Sequence, residues 1–335
     1  MLLRRNSNTD KINRCDPITA NTIYRTNTTT TLIEIINSSD SDKTIALSVW
    51  CIIRICRSSE VAAGLIKQDL PSTLIRKGFT GNFKSSCLSS WCLGILALTD
   101  HLAEMLAARG VVNASVDHLR RITAGQAFGT EDRCAALYVI ARLARSIPLA
   151  KSLVKAGCVP LIVHHLSTSE EPQILHWSAR AIGCLMRPNA SDIAKTLLDA
   201  GSAKALARLP RVLPVQEIEP IISFAFTIQR FSVAEWGAGT RKTLVEEGVV
   251  DSLLSVLRAS VDVPYPKMQV ELALAVSFLG DVGGSSIRKE IVRAGGIEIL
   301  QRVATGKPEV SKACNLAITS ITGNLWTRNA GMYYL

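Results

Sequence analysis

Leu153–Leu166 reads LVKAGCVPLIVHHL. An apolar-periodic run stops on Ala156-Gly157 and a second one starts at once, with almost no loop between them. Glycine after an amphipathic run suits a helix C-terminus, because the chain must turn there through positive φ. Beyond it, Val159, Ile162, Val163 and Leu166 share one helical face. The stretch therefore predicts two short helices meeting at a sharp angle across Gly157.

The junction recurs. Gly110 opens GVVNASVDHL, Gly201 opens GSAKALARLP, Gly248 opens GVVDSLLSVL and Gly295 opens GGIEILQRVA, with a weaker copy, QDLPSTLIRK, from Gln68. Successive copies are 42, 47, 44, 47 and 47 residues apart. After each second helix comes a polar break and then a longer third helix. Several third-helix starts carry the chemistry of a helix N-terminus: Thr130 before two acids, Ser169-Glu170-Glu171-Pro172, and Pro308-Glu309. A three-helix unit of about 40–47 residues is the armadillo/HEAT period.

The sequence resembles the armadillo family. Its signature, (I/V)-x-x-G-(G)-(I/V)-P-x-L-(I/V)-x-x-L, is nearly complete in LVKAGCVPLIVHHL, and AALYVIARLA (135–144) and SVWCIIRIC (48–56) look like its third helices. The resemblance implies an all-α, right-handed superhelical solenoid of about six to seven armadillo-type repeats over residues 32–323, the first one incomplete. No such repeat hides its apolar face alone. Stability comes from stacking on neighbours, so 335 residues need not divide into two compact domains. Residues 1–31, rich in Asn, Thr and charge, read as a flexible leader, and 324–335 as a C-terminal tail or cap. The insert RLPRVLPVQEIEPII, with Pro210, Pro214 and Pro220, is expected to disrupt one repeat and shorten its second helix.

Composition agrees with close-packed helices. Hydrophobic residues make up 47% of the chain but aromatic ones only 5%, so small and aliphatic side chains must carry the core. The richest apolar runs, CLGILAL (92–98) and IISFAFTI (221–228), fall far short of the ~20 residues a membrane-spanning helix needs. MLLRR followed by NSNTDKINR lacks the apolar h-region of a signal peptide. Nine cysteines without CxxC or Cys/His ligand spacing read as small hydrophobes in a reducing compartment, cytoplasmic or nuclear. A net charge of +10 favours acidic partners such as nucleic acid, anionic lipid or acidic protein segments.

No nucleophile–base constellation is visible, so no catalytic residue, cofactor or small-molecule substrate is expected. His164, His165 and His176 have no metal-ligand spacing, and no metal is expected. GDVGGSS (280–286) lacks the Lys-Ser/Thr of a phosphate loop and follows a helix, so it reads as a turn between repeats.

What remains is the third-helix face, which in armadillo proteins lines the concave groove where extended partners bind. In importin-α-type members that face repeats a Trp with an Asn four residues later. Here the Trp-like column reads Trp50, Trp91, Tyr138, Arg180, Phe226, Leu274 and Leu316. The Asn-like column reads Arg54, Ile95, Arg142, Cys184, Arg230, Phe278 and Ser320. The Trp/Asn ladder is missing, which argues against basic nuclear-import cargo. In its place, Trp50/Arg54, Tyr138/Arg142 and Phe226/Arg230 form aromatic–arginine pairs at i and i+4, spaced every second repeat. A planar guanidinium can stack on its ring while its edge takes a carboxylate or phosphate. The alternative is that each arginine is merely solvated or paired with a carboxylate of the next repeat. The expectation is a non-catalytic scaffold or adaptor that holds an extended, acidic or phosphorylated protein segment. The alternative is a nucleic-acid-binding solenoid, and an enzyme ranks third.

Overall fold

The structure is a computed structural model, and it describes residues 16–81, 83–125, 127–187, 190–234 and 238–323. Among these residues the backbone forms twenty-one α-helices, one π-helical turn and no strand. They divide into two compact units, residues 1–161 and 162–335. The tail or cap expected at 324–335 lies outside the described residues, as does the first half of the expected leader.

In the first unit the helices come in threes. α1 (Pro17–Arg25), α2 (Thr28–Ser38) and α3 (Asp42–Ile55) lead. Next come α4 (Ser59–Lys67), α5 (Leu70–Thr73), which runs into the π-helical turn Leu74–Gly78, and α6 (Phe83–Leu96). α7 (Asp100–Ala108), α8 (Val111–Ala124) and α9 (Thr130–Leu143) follow, and then α10 (Ile147–Lys155). α11 (Cys158–Thr168) begins in the first unit and continues into the second. The second unit holds α12 (Pro172–Leu185) and three further triplets. These are α13 (Ser191–Asp199), α14 (Ser202–Val212) and α15 (Ile218–Ala234); α16 (Ala238–Glu246), α17 (Val249–Ala259) and α18 (Pro266–Val282); and α19 (Gly284–Arg293), α20 (Gly296–Val303) and α21 (Pro308–Thr322).

Helices of the same rank lie side by side. The third helices α3, α6 and α9 form a row in the first unit, and α12, α15, α18 and α21 form one in the second. Behind the latter row, α14, α17 and α20 stack, as do α13, α16 and α19. This ranking explains the apolar composition. A third helix inside a row is covered by its own triplet and by both neighbours, as α18 is by α17, α15 and α21, and nine of its seventeen residues are buried. α17 is covered on the predicted face, where Val250, Leu253, Leu254 and Leu257 are all buried.

The glycine junctions are left-handed, with φ of 77° at Gly110, 90° at Gly157, 86° at Gly201, 76° at Gly248 and 75° at Gly295. Two further junctions use other residues. Asp69 (φ 62°) precedes α5, so the turn of the weak copy is at Asp69 rather than Gln68. Asn27 (φ 57°) precedes α2. Asn and Asp are the side chains that best tolerate this region. The Asn27 junction makes the first triplet whole. Residues 17–25 and 28–31, read from sequence as leader, are helical, and Asp16 caps α1 by accepting from Ile18 and Thr19 N–H at 3.1 and 3.0 Å.

The proline insert departs from expectation as well. α14 runs through Pro210 to Val212 and, at eleven residues, is as long as α17. Pro210 lies in the last turn, Pro214 falls in the loop, and Pro220 is the third residue of α15. The N–H that Pro220 lacks would have had no intrahelical acceptor there.

Candidate partner-binding site

In the first unit α3 presents Leu47, Trp50, Cys51 and Arg54 at the i, i+3, i+4, i+7 spacing of one helical face. Leu47 and Trp50 are 54% and 42% exposed, large values for apolar side chains on a third helix. The Arg54 guanidinium lies over the Trp50 ring, 4.7 Å from its centroid. This is the first predicted pair, formed as expected.

The second pair is arranged differently. The Tyr138 ring on α9 leans onto α6, with its centroid 4.4 Å from that of Trp91, and it rests where Gly94 has no side chain. Arg142 turns the same way. Its Nε donates to the Gly94 carbonyl at 3.3 Å and its Nη2 to the Ala97 carbonyl at 3.0 Å. α6 ends at Leu96, so carbonyls in its last turn have no helical N–H to accept from. Arg142 supplies donors at that end and thereby ties one repeat to the next.

The third pair forms and gains a member. The Arg230 guanidinium carbon is 5.1 Å from the Phe226 centroid, and that of Arg180, from the preceding third helix α12, is 4.0 Å from the same ring. Phe226 is seated on Gly183, where an added Cβ would lie 2.7 Å from Cδ1. Thr227 fixes the neighbouring register, its hydroxyl donating to the Ala179 carbonyl at 2.7 Å. Arg180 was visible in the Trp-like column but had no aromatic residue of its own four positions away, so pair spacing could not find it. The signal was a glycine three residues on, in WCLG (91–94) and again in RAIG (180–183).

Several other arginines have hydrogen-bond or ion-pair partners within the protein. Arg109 pairs with Asp69 at 2.6 Å and Arg145 with Asp100 at 2.9 Å. Arg208 donates to the Ser169 carbonyl at 2.8 Å, with Glu170 at 3.8 Å. Arg54, Arg180 and Arg230 are half-buried, and among the described residues a ring is what each is seen to touch.

The histidines form no cluster. His164 and His165 meet edge to face at 5.7 Å, while His176 Nδ1 lies 3.1 Å from the Glu219 carbonyl and 2.9 Å from Ser223 Oγ. His118, buried in the first unit, stacks flat on Phe79 at 4.1 Å. Arg121 donates to its Nδ1 at 3.1 Å, since a guanidinium has no acceptor. Burial, and secondarily the Arg121 charge, press the His118 imidazole down to about 3. Burial also lowers His176. Among the described residues no group of three His, Cys, Asp or Glu side chains could hold a metal ion. Among them, too, no single helix is long and apolar enough to cross a membrane.

Solved structures share this fold. An engineered protein superposes over 96% of this chain and 75% of its own, at a TM-score of 0.77 and 20% identity. A designed armadillo repeat protein matches 76% of this chain and all of its own (TM-score 0.62, 17% identity). A second, solved in complex with the peptide (KR)4, matches 87% of this chain and 98% of its own (TM-score 0.60, 17% identity). The chain has the armadillo-repeat fold. No family model and no curated protein matches the sequence. The armadillo likeness therefore rests on the three-helix geometry and on the left-handed junctions that produce it.

Proposed function

We propose that this armadillo-repeat chain is a non-catalytic scaffold whose third-helix faces hold an extended, acidic or phosphorylated segment of a partner protein. The observation that carries the reading is a set of half-buried guanidiniums, stacked on Trp50 in one unit and on Phe226 in the other, with no carboxylate partner among the described residues. A guanidinium held over a ring is restrained in position and keeps N–H donors for an oxyanion. The designed neighbour was solved with a basic peptide. The arginines here carry the same sign of charge as that peptide, so the segment complementary to them is acidic. Free, deeply buried thiols such as Cys92 fit a cytoplasmic or nuclear setting.

Calorimetry with a synthetic (Glu-Ser)6 peptide tests the reading. It should bind, and the double variant Arg54→Glu/Arg230→Glu should lose the heat of binding while keeping its helical circular dichroism. No binding of the acidic peptide by the parent protein overturns the proposal. The net charge of +10 favours nucleic acid as a second reading. That reading requires an affinity for single-stranded oligonucleotides that falls steeply with salt.

A further inference from the structure

The arginines that stack on Phe226 carry the acidic-segment reading further than a general positive face would. Both guanidinium carbons lie close to one ring centroid, at 4.0 and 5.1 Å, so they are no more than about 9 Å apart. Both guanidiniums lie over the ring. A guanidinium carries five N–H donors, and each of the two can bind one carboxylate in a fork. Glu271 of α18 accepts from Gln229 Nε2 at 2.9 Å, and Arg230 and Arg180 make no ion pair among the described residues. The position of the ring is fixed too, since Gly183 lets Phe226 sit against the α12 backbone and a larger residue there would displace it.

We propose that Arg180, Phe226 and Arg230 form a two-pronged clamp for a pair of acidic side chains two residues apart on an extended partner segment. The inference rests on the scaffold reading above and makes Arg180 a specificity-determining residue. An extended chain rises about 3.3 Å per residue and alternates its side chains. Residues i and i+2 therefore project to one side, about 6.6 Å apart, which suits two forks separated by less than about 9 Å. Adjacent acids point to opposite sides, and so do acids three apart, so neither arrangement serves both arginines. In the first unit Tyr138 has no such clamp, because Trp91 stands where Arg180 does and Arg142, the counterpart of Arg230, is committed to the carbonyls of Gly94 and Ala97.

Fluorescence anisotropy with three labelled heptapeptides of one composition tests this: Gly-Ser-Glu-Ser-Glu-Ser-Gly, Gly-Ser-Glu-Glu-Ser-Ser-Gly and Gly-Ser-Glu-Ser-Ser-Glu-Gly. The first should bind about tenfold more tightly than the others, the scale of one charge-assisted contact. Arg180→Gln and Arg230→Gln should each abolish that preference with helicity unchanged. Phe226→Leu, which keeps both charges but removes the ring, should weaken it. Equal binding of the three peptides, or an Arg180→Gln protein that keeps the preference, overturns the clamp while leaving the scaffold reading intact. If neither these peptides nor (Glu-Ser)6 bind, both fall. A peptide with one phosphoserine that outcompetes the spaced glutamates overturns the acidic pair in favour of a single phosphate.

Discussion

The Phe226 ring rests on the backbone of Gly183, just as the Tyr138 ring rests on Gly94 in the other unit. In both cases a third helix carries a glycine exactly where the aromatic side chain of the following repeat is laid down. A Cβ on Gly183 would lie 2.7 Å from Phe226 Cδ1, and one on Gly94 would lie 2.6 Å from Tyr138 Cδ1. Either contact forces the ring to move. Gly183→Ala and Gly94→Ala should each cost about 1–3 kcal/mol, the usual scale of overpacking. Urea denaturation measures this directly, and a change below about 0.5 kcal/mol would show that the rings are free to shift.

Arg142 and the stacked arginines should separate cleanly by assay. Arg142→Gln leaves helix-end carbonyls of α6 without their donor, and an unsatisfied buried acceptor costs about 1–3 kcal/mol. Arg54→Gln and Arg230→Gln break no hydrogen bond among the described residues and should stay within about 0.5 kcal/mol of the parent. Peptide titrations should show the reverse order, with Arg54 and Arg230 mattering and Arg142 not. A common loss of stability across all three variants contradicts the division.

The left-handed junctions predict a cost of a different origin. Nothing lies within 4 Å of a Cβ built on Gly201, yet its φ is 86°. Gly201→Ala should therefore lose about 1–2 kcal/mol from backbone conformation alone. Gly201→Asn should lose less, since asparagine occupies the same junction at Asn27. Thermal melts of the two variants, compared side by side, decide it. Equal losses would point to an unrecognised steric contact.

Acid should destabilise the protein through its buried imidazoles. The unfolded chain protonates histidine as pH falls through about 6.5, whereas folded His118 stays neutral down to about 3. Between those values the unfolded state binds the extra proton, so stability is full above about 6.5 and declines as pH drops. One such histidine contributes a slope of up to about 1.4 kcal/mol per pH unit. His118→Gln should flatten the fall in unfolding free energy between pH 6 and 4.5. Parallel curves for parent and variant would remove His118 as the cause.

Thiol reactivity should follow burial. Cys51 and Cys184 are partly exposed, whereas burial pushes the Cys56, Cys87 and Cys158 thiols up to about 12. The thiolate is the reactive form. Brief alkylation of the native protein followed by peptide mass mapping should label Cys51 and Cys184 ahead of those three. Early labelling of Cys158 would show that the α11 start opens readily.

Periodic features were legible in the sequence, and pairwise ones were not. The five glycine junctions, the apolar face of α17 and the first-turn prolines of α12 and α21 each follow from local chemistry, and each stands in the structure. The Asn27 junction escaped because its residue is not glycine, although it lies one repeat length before Asp69. Pro210 misled because the helix-breaking rule weakens in a last turn. At the site, i and i+4 spacing found Trp50/Arg54 and Phe226/Arg230. It could not tell that Arg142 would be drawn to an adjacent helix end, or that Arg180 would reach a ring one repeat away, because those contacts depend on how neighbours are laid against each other.

The glycine seats give the array an order. Tyr138 needs a predecessor with a glycine three residues after its column position, and so does Phe226; Gly94 and Gly183 meet that need one turn from Trp91 and Arg180. Transposing or duplicating a triplet would set an aromatic side chain against a helix with no vacancy for it. These modules are keyed to their neighbours rather than interchangeable, so a chain of this type would be expected to diversify by point substitution within fixed positions more readily than by shuffling whole repeats.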